Sequence, residues 1–156
     1  MQITVYINNE LVKKDVDVNL RLLDFLRQEG CASVKCGCET TNCGLCTVWV
    51  DGTAMLSCSL LAVRADGCHI TTLEGLQEKA KDFADFMARE GAEQCGYCSP
   101  GLIMQVLALR KEAIETKKVF TIEEVKRYLA GNLCRCTGYM GQLRAITKYL
   151  GKEGVL

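Results

Sequence analysis

The chain has 156 residues, 49% of them hydrophobic, with 19 Lys+Arg against 19 Asp+Glu. That length fits one large domain or two small ones with a buried core. The balanced charge argues against the basic surface of a nucleic-acid binder and against a free carrier steered by long-range attraction. It suits a fixed place in a larger assembly. No stretch is long and apolar enough to span a bilayer. Met1 to Ile7 (MQITVYI) lacks a basic n-region and a cleavage-type ending, so it is not read as a signal peptide. A cytoplasmic location is expected, where thiols stay reduced. Eleven cysteines, an odd number, then point to metal rather than disulfides.

In chain order, Gln2 to Ile7 alternates polar and apolar residues, which predicts a strand with Ile3, Val5 and Ile7 on one face. Asn8-Asn9-Glu10 signals a turn into a return strand carrying Leu11, Val12, Val16 and Val18. Asn19 is placed to cap a helix through Arg27 that buries Leu22, Leu23 and Leu26, and Gly30 is placed to end it. Cys46 to Val50 predicts a strand, Asp51-Gly52 a turn, and Thr53 to Leu56 a second short strand. His69 to Thr72 is one more. After Leu73 helical periodicity takes over, broken by Gly91 and by Cys95–Pro100. Ser99-Pro100 predicts a helix start, with Ser as N-cap and Pro first inside, running to about Glu115. Thr121 to Glu124 has the form of a capping box opening a helix to about Ala130. A last helix is predicted over about Gln142 to Leu150. The expected fold class is α+β, with a β-rich part over 1–75 packed against a helical part over 76–156.

Cys38, Cys43, Cys46 and Cys58 are spaced C-x4-C-x2-C-x11-C, the plant-type ferredoxin pattern for a [2Fe–2S] cluster. A short loop must wrap one edge of a flat cluster, and its amides can donate to the sulfurs. Gly37, Gly44 and Asn42 suit such a loop. Structural zinc sites usually use two C-x2-C pairs, so the single loop with a distant fourth cysteine fits iron–sulfur better.

Cys95, Cys98, Cys134 and Cys136 form a second group, C-x2-C-x35-C-x-C. Cys98 precedes a predicted helix start, whose positive end favours an anionic thiolate group. Zinc stays open here on spacing alone, because C-x2-C is common to many zinc modules. Arg135, between two ligand candidates, is read as a charge or phosphate contact. Cys31, Cys36 and Cys68 are read as small buried hydrophobes. His69, the one histidine, is read as structural; a Rieske centre would need two.

Several segments resemble the iron–sulfur subunit of the molybdenum hydroxylases, the xanthine dehydrogenase and aldehyde oxidoreductase family. They are Lys35-Cys36-Gly37-Cys38, Cys43-Gly44-Leu45-Cys46-Thr47-Val48, Thr72-Leu73-Glu74-Gly75-Leu76, Gln94-Cys95-Gly96-Tyr97-Cys98-Ser99-Pro100-Gly101 and Gly131-Asn132-Leu133-Cys134-Arg135-Cys136-Thr137-Gly138-Tyr139. The resemblance covers essentially the whole chain and favours [2Fe–2S] clusters in both groups. It implies a ferredoxin-like β-grasp followed by a four-helix bundle. It also implies electrons passing from a molybdenum–pterin centre on a large subunit, through the second cluster and then the first, to FAD on a medium subunit. Gln94 and Cys136 match the residues that approach the pterin. A dimer of heterotrimers is the implied assembly, and a chain ending at residue 156 is expected to be a separate subunit. The substrate of such a complex is chosen on another chain, so purine, aldehyde, aromatic acyl-CoA and N-heterocycle all stay open, with xanthine or a related purine taken only on base rate.

The resemblance departs at Glu39-Thr40-Thr41-Asn42, where the family commonly has a glycine-rich run, and at Leu45 for Ala. The ligand positions are intact; the direction of the loop amides is left open. An independent two-cluster ferredoxin serving several partners is the alternative function, and a zinc scaffold without redox chemistry a third.

Overall fold

The computed structural model describes all 156 residues as a mixed α+β protein with one five-stranded sheet and five α-helices. Strands β1 (Gln2–Ile7) and β2 (Glu10–Asp15) pair antiparallel, with Ile7 opposite Glu10. The two-residue loop between them, Asn8-Asn9, has positive φ at both positions (50° and 73°), as a type I′ turn requires and Asn tolerates. β3 (Thr47–Val50) and β4 (Thr53–Leu56) repeat the arrangement around Asp51-Gly52. β5 (His69–Thr71) lies parallel to β1 and antiparallel to β3, giving the order β2-β1-β5-β3-β4.

Strand alternation divides the core. Ile3, Val5, Ile7, Val48 and Ile70 pack with Leu22, Leu23, Phe25 and Leu26 of helix α1 (Leu22–Gln28). Trp49, one residue on from Val48, faces the other way into a second core built by α2 (Gln77–Arg89), α3 (Ser99–Thr116), α4 (Ile122–Tyr128) and α5 (Met140–Lys152). Its indole Nε1 donates to the carbonyl of Met104, 3.0 Å away. α3 is the central helix and is apolar on most sides; α2 and α5 pack beside it through Phe83 and Tyr149, whose rings lie 5.1 Å apart.

Two expected caps are corrected. Asn19 does not cap α1: its own N–H is taken by Asp17 Oδ1, and the N-cap residue is Arg21. The first helical amide, on Leu22, bonds the Leu60 carbonyl instead, so a neighbouring segment of backbone supplies the acceptor. Ser99 is the first helical residue of α3 rather than its cap. The Leu102 N–H reaches the Cys98 carbonyl, closing the turn one residue early, and Pro100 occupies the second position, where its missing N–H is equally harmless. Gly30 (φ 89°) does end α1, in a Schellman arrangement with Cys31 N bonded to Leu26 O and Gly30 N to Arg27 O. The capping box of Thr121 and Glu124 is present, though α4 stops at Tyr128 and α5 is two residues longer at each end than expected. No helix is long and apolar enough to cross a membrane.

Candidate metal centres

The first thiol group is assembled at the edge of the sheet. Cys43 and Cys46 are buried just before β3; Cys38 and Cys58 are half-buried. All four line one small pocket, together with Leu23, Cys36 and Gly37. Gly37 packs closely there: a Cβ would lie 2.8 Å from Leu45 Cδ2 and 3.2 Å from Cys43 Sγ, so the Leu45 side chain would have to move aside. The loop without its glycines still turns as a glycine loop would: Glu39 (φ 55°) and Thr41 (φ 60°) both adopt the left-handed region. The N–H groups of Thr40 and Asn42 consequently point at Cys38 Sγ, each at 3.4 Å. Those donors, Asn42 foremost, bring the Cys38 thiol down to about 6. Burial, then the neighbouring Cys46 thiol, pushes Cys58 up to about 12. One pocket thus combines amide donors for anionic sulfur with a set of mutually repelling thiols, a combination that a cationic iron core relieves.

The second group joins two helix ends. Cys98 is the N-cap residue of α3, and Cys95 lies on the loop before it. Cys134 and Cys136 lie on the loop between α4 and α5, and Cys136 Sγ stands 3.5 Å from Cys95 Sγ. Cys95 and Cys136 are exposed while Cys98 and Cys134 are half-buried, so the group runs from surface to interior. Burial pushes Cys98 up to about 11. At Cys134 burial acts upward too, but the Thr137 hydroxyl and the N–H groups of Cys136 and Thr137 outweigh it and bring the thiol down to about 7. Beside Cys98, the Ser99 hydroxyl is buried with no hydrogen-bond partner.

In neither group do three side chains converge closely enough to hold a single metal ion. The four thiols of the second group line an open space instead. A cavity of about 390 Å³ is walled by all four thiols of the second group and by Cys38 and Cys43 of the first. Arg135 is exposed at its edge. Gln94 is exposed beside Cys95.

The two groups abut. Leu133 N donates to the Cys43 carbonyl (2.9 Å), Tyr97 Oη to the Cys36 carbonyl (2.9 Å) and Asn132 Nδ2 to the Gly44 carbonyl (3.5 Å). Gly44 (φ 71°) and Gly101 let main chain meet main chain. A Cβ on Gly44 would lie 2.6 Å from the Gly131 carbonyl, and one on Gly101 would run into the Gly44 carbonyl.

Of the remaining cysteines, Cys31 is buried in the sheet core as expected. Cys36 and Cys68 are only half-buried, and Cys36 shares the pocket of the first group. His69 stacks on Tyr6 with ring centroids 4.4 Å apart. Two residues near the sites carry no spacing signal in the sequence. Glu74 accepts from the N–H and hydroxyl of Ser33 and from the Thr72 hydroxyl, anchoring the segment that leads into the first loop. Gln142, noted from sequence only as a helix start, is buried on α5 with Nε2 3.7 Å from Cys98 Sγ.

A family model described as a [2Fe-2S] binding domain matches residues 72–147. The xanthine dehydrogenase iron-sulfur-binding subunit of Escherichia coli O157:H7 is 51% identical over 120 residues, 76% of this chain and 74% of that one. The nicotinate dehydrogenase small FeS subunit of Eubacterium barkeri is 40% identical across 94% of this chain and 92% of its own. Among solved structures, quinoline 2-oxidoreductase from Pseudomonas putida 86 superposes with a TM-score of 0.85 at 36% identity, covering 100% of this chain and 98% of that one.

Proposed function

The chain belongs to the iron–sulfur subunits of the molybdenum hydroxylase family, and from that membership we propose that it carries two [2Fe–2S] clusters and relays electrons between partner subunits. Cys38, Cys43, Cys46 and Cys58 would hold the first cluster; Cys95, Cys98, Cys134 and Cys136 would hold the second. One-electron storage is the chemistry the clusters supply when bound. Electrons would arrive from a molybdenum–pterin centre on a large subunit, where substrate is transformed, and leave to FAD on a medium subunit. Gln94 and Cys136 would face the pterin. Both are exposed, on the side of the second group that opens to the surface.

The observation that carries this reading is the joining of the two thiol groups by the Leu133–Cys43 backbone hydrogen bond. It gives a short bonded route from the residue before Cys134 to a ligand candidate of the other group. The donor set also fits: eight thiols and no histidine, with amides or hydroxyls aimed at Cys38 and Cys134 as anionic sulfur requires.

A fixed place in a complex is supported over a free ferredoxin by the ring of exposed apolar side chains around the second group. Tyr97, Leu133, Tyr139 and Met140 are between 44% and 60% exposed, and such a patch calls for a partner surface. The finer layout is part of the same proposal: a ferredoxin-like β-grasp up to residue 75, a four-helix bundle from 76, and a dimer of heterotrimers in the cytoplasm. A purine or another nitrogen heterocycle is the proposed substrate class, since the relatives' names include xanthine and nicotinate.

The test is purification of the chain with whatever co-purifies. About four irons and four acid-labile sulfides per chain, two distinct reduced-state EPR signals, and partners carrying molybdenum–pterin and FAD are expected. Two zinc ions and no visible absorbance would overturn the reading.

A further inference from the structure

We propose that Gln142 tunes the second site: its side-chain amide donates a hydrogen bond to Cys98 Sγ and so raises the reduction potential of the cluster held there, leaving the first unaffected. This rests on the reading of Cys98 as a ligand of the second cluster.

The buried face of α5 consists of Gly141, Gln142, Ala145, Ile146, Tyr149 and Leu150. Gln142 is 4% exposed and is the one amide on that face. Leucine or isoleucine would fill the position without the cost of desolvating an amide. A buried amide is kept where it has a partner, and the partner that Gln142 Nε2 has is Cys98 Sγ at 3.7 Å. The contact crosses from the first turn of α5 to the N-cap of α3, so it is made by the tertiary fold and not by local chain geometry. A ligating thiolate carries no proton and can only accept. That settles which end of the amide faces the sulfur: the N–H end lowers the energy, the carbonyl end raises it. A donor to a ligand sulfur stabilises the more negative, reduced state of the cluster. Gln142 also lines the narrow seam with Cys43, Leu133 and Cys134, so it stands on the side of the second site that faces the first. Its effect is to hold electrons at the second site more firmly than the thiols alone would.

The experiment uses the chain in its purified complex and compares wild type with Gln142→Met and Gln142→Leu, both of similar volume and neither a donor. EPR-monitored redox titration follows the two reduced signals; the one missing from Cys136→Ala marks the second site. With iron and sulfide unchanged, the reduced-to-oxidised ratio at the second site is expected to fall about tenfold at fixed ambient potential, about 59 mV for one electron. The first signal should not move. An unmoved second midpoint, an equal shift in both signals, or loss of the second signal from both variants would overturn the tuning role. Absence of a second signal from the wild type would refute the ligand reading instead.

Discussion

The backbone N–H of Leu133 donates to the carbonyl of Cys43 across 2.9 Å, so the loop that carries Cys134 is bonded to the loop that carries Cys43. The bond forms because two glycines, Gly44 and Gly101, let the loops close to main-chain contact. Gly44, Gly101 and Gly131 meet where any Cβ on the first two would strike backbone.

Gly101→Ala tests that seam. Its methyl would collide with the Gly44 carbonyl and lie 2.9 Å from Leu45 Cα, and backbone cannot swing aside as a side chain can. A loss of about 1–3 kcal/mol is expected in urea unfolding, with weaker magnetic interaction between the two reduced signals. Wild-type stability with an unchanged interaction would contradict the contact.

Glu39 and Thr41 hold positive φ without being glycine. The left-handed conformation costs an L-residue roughly 1–2 kcal/mol, and part of that is returned through the looser unfolded chain when glycine is introduced. Thr41→Gly should therefore stabilise the protein by about 0.5–1 kcal/mol, more than Glu39→Gly because Thr is β-branched. Thermal unfolding and the resistance of the first signal to chelator are the measurements. A lowered midpoint in both would refute the strain.

Glu74 has a pH signature. Burial acts to raise its carboxyl, but the donors from Ser33 and Thr72 prevail and hold it below its ordinary 4.5. A group depressed in the folded state stabilises above its unfolded pKa, and the contribution fades as pH falls through the folded pKa. Glu74→Gln should cost about 1 kcal/mol near neutral pH, at the low end for bonds to a charged group because the side chain is partly solvated. It should also flatten the stability–pH curve below about 4.5. An unchanged acid slope would show that the carboxylate is not held by these donors.

Cys136→Ala should remove the second EPR signal and stop reduction of the first cluster by substrate, while an artificial donor still reduces that cluster. Rapid mixing with substrate measures it. Substrate-driven reduction of the first cluster at the wild-type rate would exclude a route through Cys136.

Much of the candidate site can be read from spacing, because thiols on a tight loop or at a helix end are close in sequence. Cys38, Cys43 and Cys46 are of this kind, as are Cys134 and Cys136. The two hairpin turns can be read for the same reason: Asn8-Asn9 and Asp51-Gly52 act on their immediate neighbours. What could not be read depends on partners remote in the chain. Asn19 resembles a cap, but Leu60 supplies the acceptor that α1 needs. Ser99 resembles a cap, but the turn closes on Cys98. Gln142 reads as an ordinary helix residue until the fold sets it against Cys98, and Glu74 meets Ser33 only through tertiary structure. The loop after Cys38 misleads in the other direction: its glycines are absent, yet Glu39 and Thr41 keep the backbone path, so Thr40 and Asn42 still face the sulfur.

The spacer between the two thiol groups is main chain wherever Gly44, Gly101 and Gly131 touch. Its thickness is therefore the contact distance of two backbones, about as small as two chains can make it. A Cβ added at Gly44 or Gly101 can widen this seam, but no replacement can narrow it to speed traffic between the sites. Adaptation to a new donor or acceptor is left to driving force, through the residues that touch sulfur without ligating metal.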